Sequence, residues 1–466
     1  MSRVRHGQAP RTFGSPAVAS PDDLVFGSAP RPVRCGLDLE IGAGRVFPEI
    51  NFTLPPMLID AENWGKVRAI YESTTEALLR RARDLQLEGL VVELEHLPPM
   101  TSEPKWGAEL TELIKSHLRG ARAEWGLRSA LRVTIVDLRD ERKPPQRRSG
   151  PAWERMAASL EACAAAGADI LSIESTGGKE VHDVALTRAD VPGIVFALGV
   201  LAPRDMAWLW GRFVEVANRH GVVAGGDTAC GFANTAMQLA GQNMLPDVLV
   251  GLVRAMCAAR TLVAHERGAR GPSKDCGYEN PVIKAITGCP ISMEGRSATC
   301  AHLSPIGNIA GAAADLWSNE SVTDVRLLSG PAPVASLESL VYDCRLFNAA
   351  IERGTARELR DLHVAGDAQL SAQAALLTPE VTIALAHAIV GEPDPYRRTL
   401  AAARTAFDQL AQVISGGSLR LAQREQRWLD RLRAAFDQVP DDAEVLAGSV
   451  RERYGALYAP AEYELE

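Results

Sequence analysis

ADILSIESTGGKE (168–180) and VVAGGDTACGFAN (222–234) share one form. Each is a short apolar run that ends on a carboxylate, Glu174 or Asp227, before helix-like sequence resumes; the first turns through Gly177 and Gly178 after it. A run that is apolar on both faces suits a strand of a parallel sheet, where helices cover both sides. Outward from these two, the same rhythm recurs at GLDLEI (36–41), LVVELEHL (90–97), LRVTIVDL (131–138), TLVAHE (261–266), PISMEG (290–295) and VTDVRLL (322–328). Helical periodicity fills 64–86, 106–124, 152–166, 203–219, 247–259 and 335–352. Eight β units, each followed by a helix, fit a (β/α)8 TIM barrel better than an open doubly wound sheet. The open sheet also lacks its phosphate fingerprint, since GAG at 42–44 is not G-x-G-x-x-G and GGKE at 177–180 is not a P-loop.

The barrel is expected over residues 31–352. Residues 1–30, rich in Pro, Gly, Ala and Arg without period, read as a flexible N-terminal arm. From 353 to 466 the β runs stop, and TPEVTIALAHAIV (378–390) and RTLAAARTAFDQLAQVI (398–414) repeat apolar residues at helical spacing, so a helical C-terminal extension follows. The 466 residues carry 50 basic and 58 acidic side chains, a net charge of −8. With no basic surplus or block, nucleic acid and anionic membranes are excluded as expected partners. The longest charge-free run, 228–246, holds Asn234, Gln238, Gln242 and Asn243 and is too polar to span a bilayer. The first residues lack the apolar core of a secretory signal, so a cytoplasmic location is expected. The segment RDERKPPQRR (139–148) reads as a solvated loop, and the Trp64, Trp106 and Trp208 neighbourhoods as helix packing.

In a barrel the chemistry sits where strands end. Eight cysteines without a C-x-x-C pair exclude a zinc ribbon and a disulfide scaffold. Cys35, Cys163, Cys257, Cys289 and Cys344 lie in apolar or helical surroundings and read as packed thiols. Glu174, Cys230 and Cys276 remain at three strand ends, 56 and 46 residues apart. Two thiolates and a carboxylate form a set suited to zinc, with the fourth position left for substrate. Cys300 with His302 is a rival pair, and unliganded packing is the plain alternative for every one of these residues. Asp227 and Asp275 are candidate acids or helix caps. Glu95 and His96 either line the mouth or form a salt bridge.

LSIESTGGKE, GGDTACGFANTAM, GPSKDCGYENPVIKAITG, SMEGRSATCAH and LWSNESV, with GLDLEIGAG, PEINF, ELEHLPPM and PKWGAEL before them, resemble the zinc-binding B subunit of methanol:corrinoid methyltransferases. The resemblance runs from about residue 22 to about 460. It implies a TIM barrel with added helices, zinc on Glu174, Cys230 and Cys276, and second-tier roles for Cys300 and His302. It also implies methyl transfer from methanol, or a related O-methyl donor, to the Co(I) of a corrinoid held by a separate protein, and a homodimer core. Asp227 is the expected proton donor to the departing oxygen. The family pattern has an acidic residue just before its first zinc cysteine, a Gln soon after it, and a His in the strand matching ALRVTI. Here Ala229, Phe232 and Val133 stand there, which implies a less polar mouth and leaves a bulkier methylated donor open. A barrel that only binds a corrinoid protein, and an unrelated zinc lyase or hydrolase, are the alternatives from other classes.

Overall fold

The structure is a computed structural model that describes residues 11–465 apart from 276, 295–305 and 329. Eight strands form one parallel sheet: β1 (Phe47–Thr53), β2 (Gly89–Glu95), β3 (Arg128–Ile135), β4 (Ile170–Ile173), β5 (Val223–Asp227), β6 (Ser273–Asp275), β7 (Ile291–Glu294) and β8 (Leu316–Val322). They neighbour one another in the order β5-β4-β3-β2-β1-β8-β7-β6. The two ends of that order approach as well. Arg270 N–H donates to the Ala224 carbonyl (2.8 Å). Gly226, at φ +128°, leaves no room for a side chain, since a Cβ there would lie 2.2 Å from Ser273 Oγ. Glycine at this closing seam lets β5 and β6 meet, and the sheet becomes a nearly closed barrel.

The main helices of the outer layer are α1 (Trp64–Asp84), α2 (Pro104–Trp125), α3 (Pro151–Ala166), α4 (Ala202–His220), α5 (Cys230–Gly241), α6 (Asp247–Arg267), α7 (Asn280–Thr287) and α8 (Ala332–Glu352). Helices Ala356–Asp367, Pro379–Val390, Pro395–Ser415, Gln423–Phe436 and Ala443–Tyr454 follow. They share one apolar core with the barrel's outer face.

Three expected strands fall elsewhere. GLDLEI belongs to an antiparallel hairpin, Ser28–Cys35 with Leu39–Ala43. Its Val33, Cys35, Leu39 and Ile41 plug the N-terminal end of the barrel against Phe47, Val91, Ala130, Ile170, Val223 and Leu316. TLVAHE is helical, the last turns of α6, whose residues Val248 to His265 are all buried. A helix covered on every side has no polar stripe, so its sequence reads like a buried strand. VTDVRLL begins only at the last residue of β8 and continues into a two-residue hairpin arm, Arg326–Leu327.

The residues expected to form a loose arm include Phe13, Val18, Leu24 and Phe26, which are buried in the main core. The chain there also bonds α7, through Ala17 N–H to the Ile286 carbonyl and Val18 N–H to the Ala285 carbonyl. Val191–His220 and Asp247–Arg267 are long and apolar enough to cross a membrane, but most of the first and all of the second lie inside the fold.

Candidate active site

The barrel interior is layered, and the layers change character from one end to the other. Above the apolar plug, Arg132 on β3 grips Glu49 on β1 (2.5 and 3.1 Å), and both are fully buried. Arg132 also donates to Ser172 Oγ (3.0 Å) and the Pro272 carbonyl (2.8 Å), while Ser292 donates to Glu49. This ring is balanced, one cation to one anion with its remaining polar groups bonded.

The next layer, at the strand C-termini, is richer in carboxylates. Lys274 on β6 reaches across to Glu95 (2.6 Å) and Glu93 (3.2 Å) on β2. Asn51 Nδ2 donates to the same Glu95 oxygen (2.6 Å), and Thr134 Oγ1 donates to Glu93 (2.6 Å). Glu174 stands just past β4 within the field of this cluster. Among the described residues Lys274 thus lies in the field of Glu93, Glu95, Glu174 and, from β8, Glu320. Burial, with Glu95 and Glu93 as neighbours, pushes the Glu174 carboxyl up to about 8 against the pull of Lys274. Burial likewise pushes Glu93 up to about 7. Burial also works against Glu95, yet Lys274 and Asn51 hold it below the ordinary value and keep it ionised. Carboxylates gathered in this way favour a cation among them.

Cys230 is the first residue of α5, where the helix N-terminus favours a thiolate. Asn234, one turn on, donates to its sulfur (3.0 Å). Cys35, Cys163, Cys257, Cys289 and Cys344 are free and buried, as packed thiols. Among the described residues no three His, Cys, Asp or Glu side chains gather as a metal-binding group. Cys276, Cys300 and His302 lie outside the described residues, so at most two of the expected zinc ligands can be placed.

Arg260 on α6, overlooked in the sequence, ties the Glu174 and Cys230 loops together. Its Nη2 donates to the Ser175 carbonyl (2.9 Å) and Ser175 Oγ (2.6 Å), directly after Glu174. Its Nη1 donates to the Thr228 carbonyl (3.1 Å), two residues before Cys230, and to Asp227 (3.2 Å). Phe232 lies over the same guanidinium, 4.8 Å from ring centre, and edge-on to His182. Asp227 is fully buried; its other oxygen accepts Trp210 Nε1–H (3.0 Å). Burial raises its carboxyl despite Arg260. With both oxygens so held, Asp227 is built to orient Arg260 and the Ser175 loop.

Of the remaining candidates, Glu95 lines the mouth in its salt bridge to Lys274. His96 packs behind the strand against Thr101 (3.0 Å) and Cys163 (3.8 Å). Glu294 ends β7 and is buried; Asp275 ends β6. Val133 sits between the inward-pointing Arg132 and Thr134 and so faces the helices, in the outer core. Phe232 and Ala229 are likewise fully enclosed. The charge run at 139–148 is solvated only in part: residues 140–144 are exposed, but its two ends turn inward. Arg139 and Arg147 are buried, held by Asp137, Asp205 and Glu180.

Comparison with known proteins agrees with this architecture. The family model described as the methanol-cobalamin methyltransferase B subunit matches residues 11–464. A methanol–corrinoid protein co-methyltransferase of Methanosarcina barkeri is 37% identical over 465 residues, 98% of this chain and 99% of the relative. The crystal structure of the methanol:cobalamin methyltransferase complex MtaBC from Methanosarcina barkeri contains a chain that superposes with a TM-score of 0.93 at 36% identity, covering 98% of this chain and 100% of that one.

Proposed function

Since the chain belongs to the methanol-cobalamin methyltransferase B subunit family and is a methyltransferase, we propose that it moves the methyl group of methanol to the Co(I) of a corrinoid carried by a partner protein, with zinc held by Glu174, Cys230 and Cys276. The observation that carries the metal part is the gathering of carboxylate and thiol donors at the strand C-termini. Among the described residues Glu93, Glu95 and Glu174 lie in the field of Lys274, and the neighbouring strand β5 leads to a cysteine at a helix N-terminus that accepts a hydrogen bond from Asn234. Carboxylate and thiolate donors fit zinc better than they fit magnesium or calcium. Binding requires Cys230 in its reduced form.

When bound, zinc acts as a Lewis acid that stabilises the negative charge developing on the alcohol oxygen as the C–O bond breaks. The chain's own residues supply the geometry. Arg260 holds the Glu174 and Cys230 loops at a fixed separation, and Asp227 holds Arg260. Glu95, with one oxygen occupied by Lys274 and Asn51, presents its other oxygen as an acceptor for the alcohol O–H. Lys274 keeps Glu93 and Glu95 from repelling the substrate's oxygen. The parallel barrel exposes this cluster only at its C-terminal end, which is where a corrinoid protein must dock for cobalt to reach the methyl group.

The test is zinc content and methanol-dependent methylation of cob(I)alamin by the reduced, anaerobic protein. Near one zinc per chain and formation of methylcobalamin are expected from the wild type, and neither from Glu174→Gln. A panel including methoxylated compounds decides the donor, with methanol expected to lead because the mouth is polar. A homodimer and a cytoplasmic location belong to the same reading; light scattering and cell fractionation check them.

A further inference from the structure

We propose that Tyr463, together with Arg147, is a positioning residue of the active site: the segment Pro460–Tyr463 clamps the loop that carries Glu174. The inference rests on the proposed reading for its chemistry, but its geometry stands separately.

The loop 175–178 leaves the end of β4 immediately after Glu174, and Arg260 fixes its first residue, Ser175. The other end is fixed from a segment almost three hundred residues away in sequence. Tyr463 is fully buried. Its hydroxyl accepts from Gly178 N–H (2.9 Å) and Arg147 Nε (3.2 Å) and donates to Glu180 (2.5 Å). Arg147, also fully buried, donates to Thr176 Oγ1 (2.8 Å), the Thr176 carbonyl (3.1 Å) and Glu180 (2.8 Å). Glu462 accepts the Arg147 and Arg148 backbone N–H groups (2.9 and 2.7 Å), which sets the height at which Arg147 enters. Thr176 is held from below by Asp137, through its N–H (2.9 Å) and hydroxyl (3.1 Å).

The loop cannot take up slack. Gly178 sits at φ +89°, and a Cβ on Gly177 would meet Asp205 at 2.2 Å. A metal ligand at the end of a strand is only as well placed as the backbone that follows it, and partners one step removed from a metal commonly set its affinity. The saturated Tyr463 hydroxyl is such a partner. It touches neither substrate nor ligand, and it acts through Gly178 and Arg147.

The test compares Tyr463→Phe with Tyr454→Phe in the full chain. Tyr454 also buries a ring and donates one hydroxyl hydrogen bond, to Asp190 (2.6 Å), but makes no hydrogen bond to the Glu174 loop. Tyr463→Phe is expected to lower zinc affinity about tenfold in chelator competition. It should also shift the visible bands of the cobalt(II)-substituted protein and speed amide exchange at Thr176 and Gly178. Tyr454→Phe should leave all three at the wild-type level even where it lowers the melting temperature as much. Equal behaviour of the two variants, or unchanged exchange at 176 and 178 in Tyr463→Phe, would overturn the clamp. If reduced wild type binds no zinc, the proposed function fails, and the exchange comparison alone still decides whether the clamp exists.

Discussion

The two ends of the barrel use charge in opposite ways. At the N-terminal end an apolar plug of Val33, Cys35, Leu39 and Ile41 sits under one buried ion pair, Glu49–Arg132, whose partners cancel. At the mouth, among the described residues, Glu93, Glu95, Glu174 and Glu320 lie around Lys274, and the carboxyls of Glu174 and Glu93 rise to about 8 and about 7. A buried pair that cancels is structural, since breaking it strands a charge and forming it leaves nothing to bind. A cluster of carboxyls with shifted titration at the strand C-termini is instead the kind of arrangement found at functional sites.

The sharpest way to break this comparison is to remove a mouth carboxylate. Glu174→Gln should abolish tight zinc binding and lower methanol-dependent methylation by more than about 100-fold, beyond what partners one step removed from the metal produce. Its melting temperature without metal should stay close to wild type. A variant that kept full activity would remove the mouth from the account.

The two buried arginines separate the ends next. Arg132→Met and Arg260→Met should each cost about 3–5 kcal/mol in denaturant unfolding, because each leaves a carboxylate buried and unpaired. Only Arg260→Met should also lower zinc affinity, since Arg260 alone joins the Ser175 and Thr228 loops. In the plug, Leu39→Ala should cost about 2–5 kcal/mol with zinc affinity unchanged.

The smallest effect is in pH. In the folded metal-free chain Glu174 and Glu93 hold protons up to about pH 8 and 7, while in the unfolded chain they release them at the ordinary carboxylate value. Their contribution is therefore complete below that ordinary value and is lost as pH rises through 7 and 8, by at most about 1.4 kcal/mol per unit for each group. His96 and His265, pushed down to about 4 by burial, act in the opposite sense, and only below their ordinary value of 6.5. Metal-free stability should thus decline between pH 6.5 and 8. Zinc should erase the decline, because it takes the carboxylate in its ionised form. Chemical denaturation at three pH values, with and without zinc, reads this directly.

The same contrast explains what the sequence disclosed. The strands with apolar faces on the helix side, β2 to β5 and β7, stand out as hydrophobic runs, and Glu174, Asp227 and Cys230 follow from their ends. PEINF and LWSNESV hide because their inward residues are polar: Ser318 and Glu320 pair in register with Glu49 and Asn51. β6 has only three residues, too few for any periodicity. Arg260 was lost inside a helix so completely buried that its end resembled a strand. Arg139 and Arg147 read as solvated because their partners Asp205, Glu180 and Tyr463 lie 66, 33 and 316 residues away. Charge in sequence does not say whether it is paired, and pairing is what distinguishes a strut from a surface.

The central claim is that the donors gathered at the mouth hold zinc on Glu174, Cys230 and Cys276 for methyl transfer. Its most direct test is zinc content of the reduced, anaerobically purified protein beside Cys230→Ser and Cys276→Ser, with methylcobalamin formation from methanol and cob(I)alamin followed in the same samples. The account predicts about one zinc per wild-type chain, its loss in both variants, and activity that tracks the metal. Full activity in zinc-free protein, or zinc retained in both variants, would contradict it.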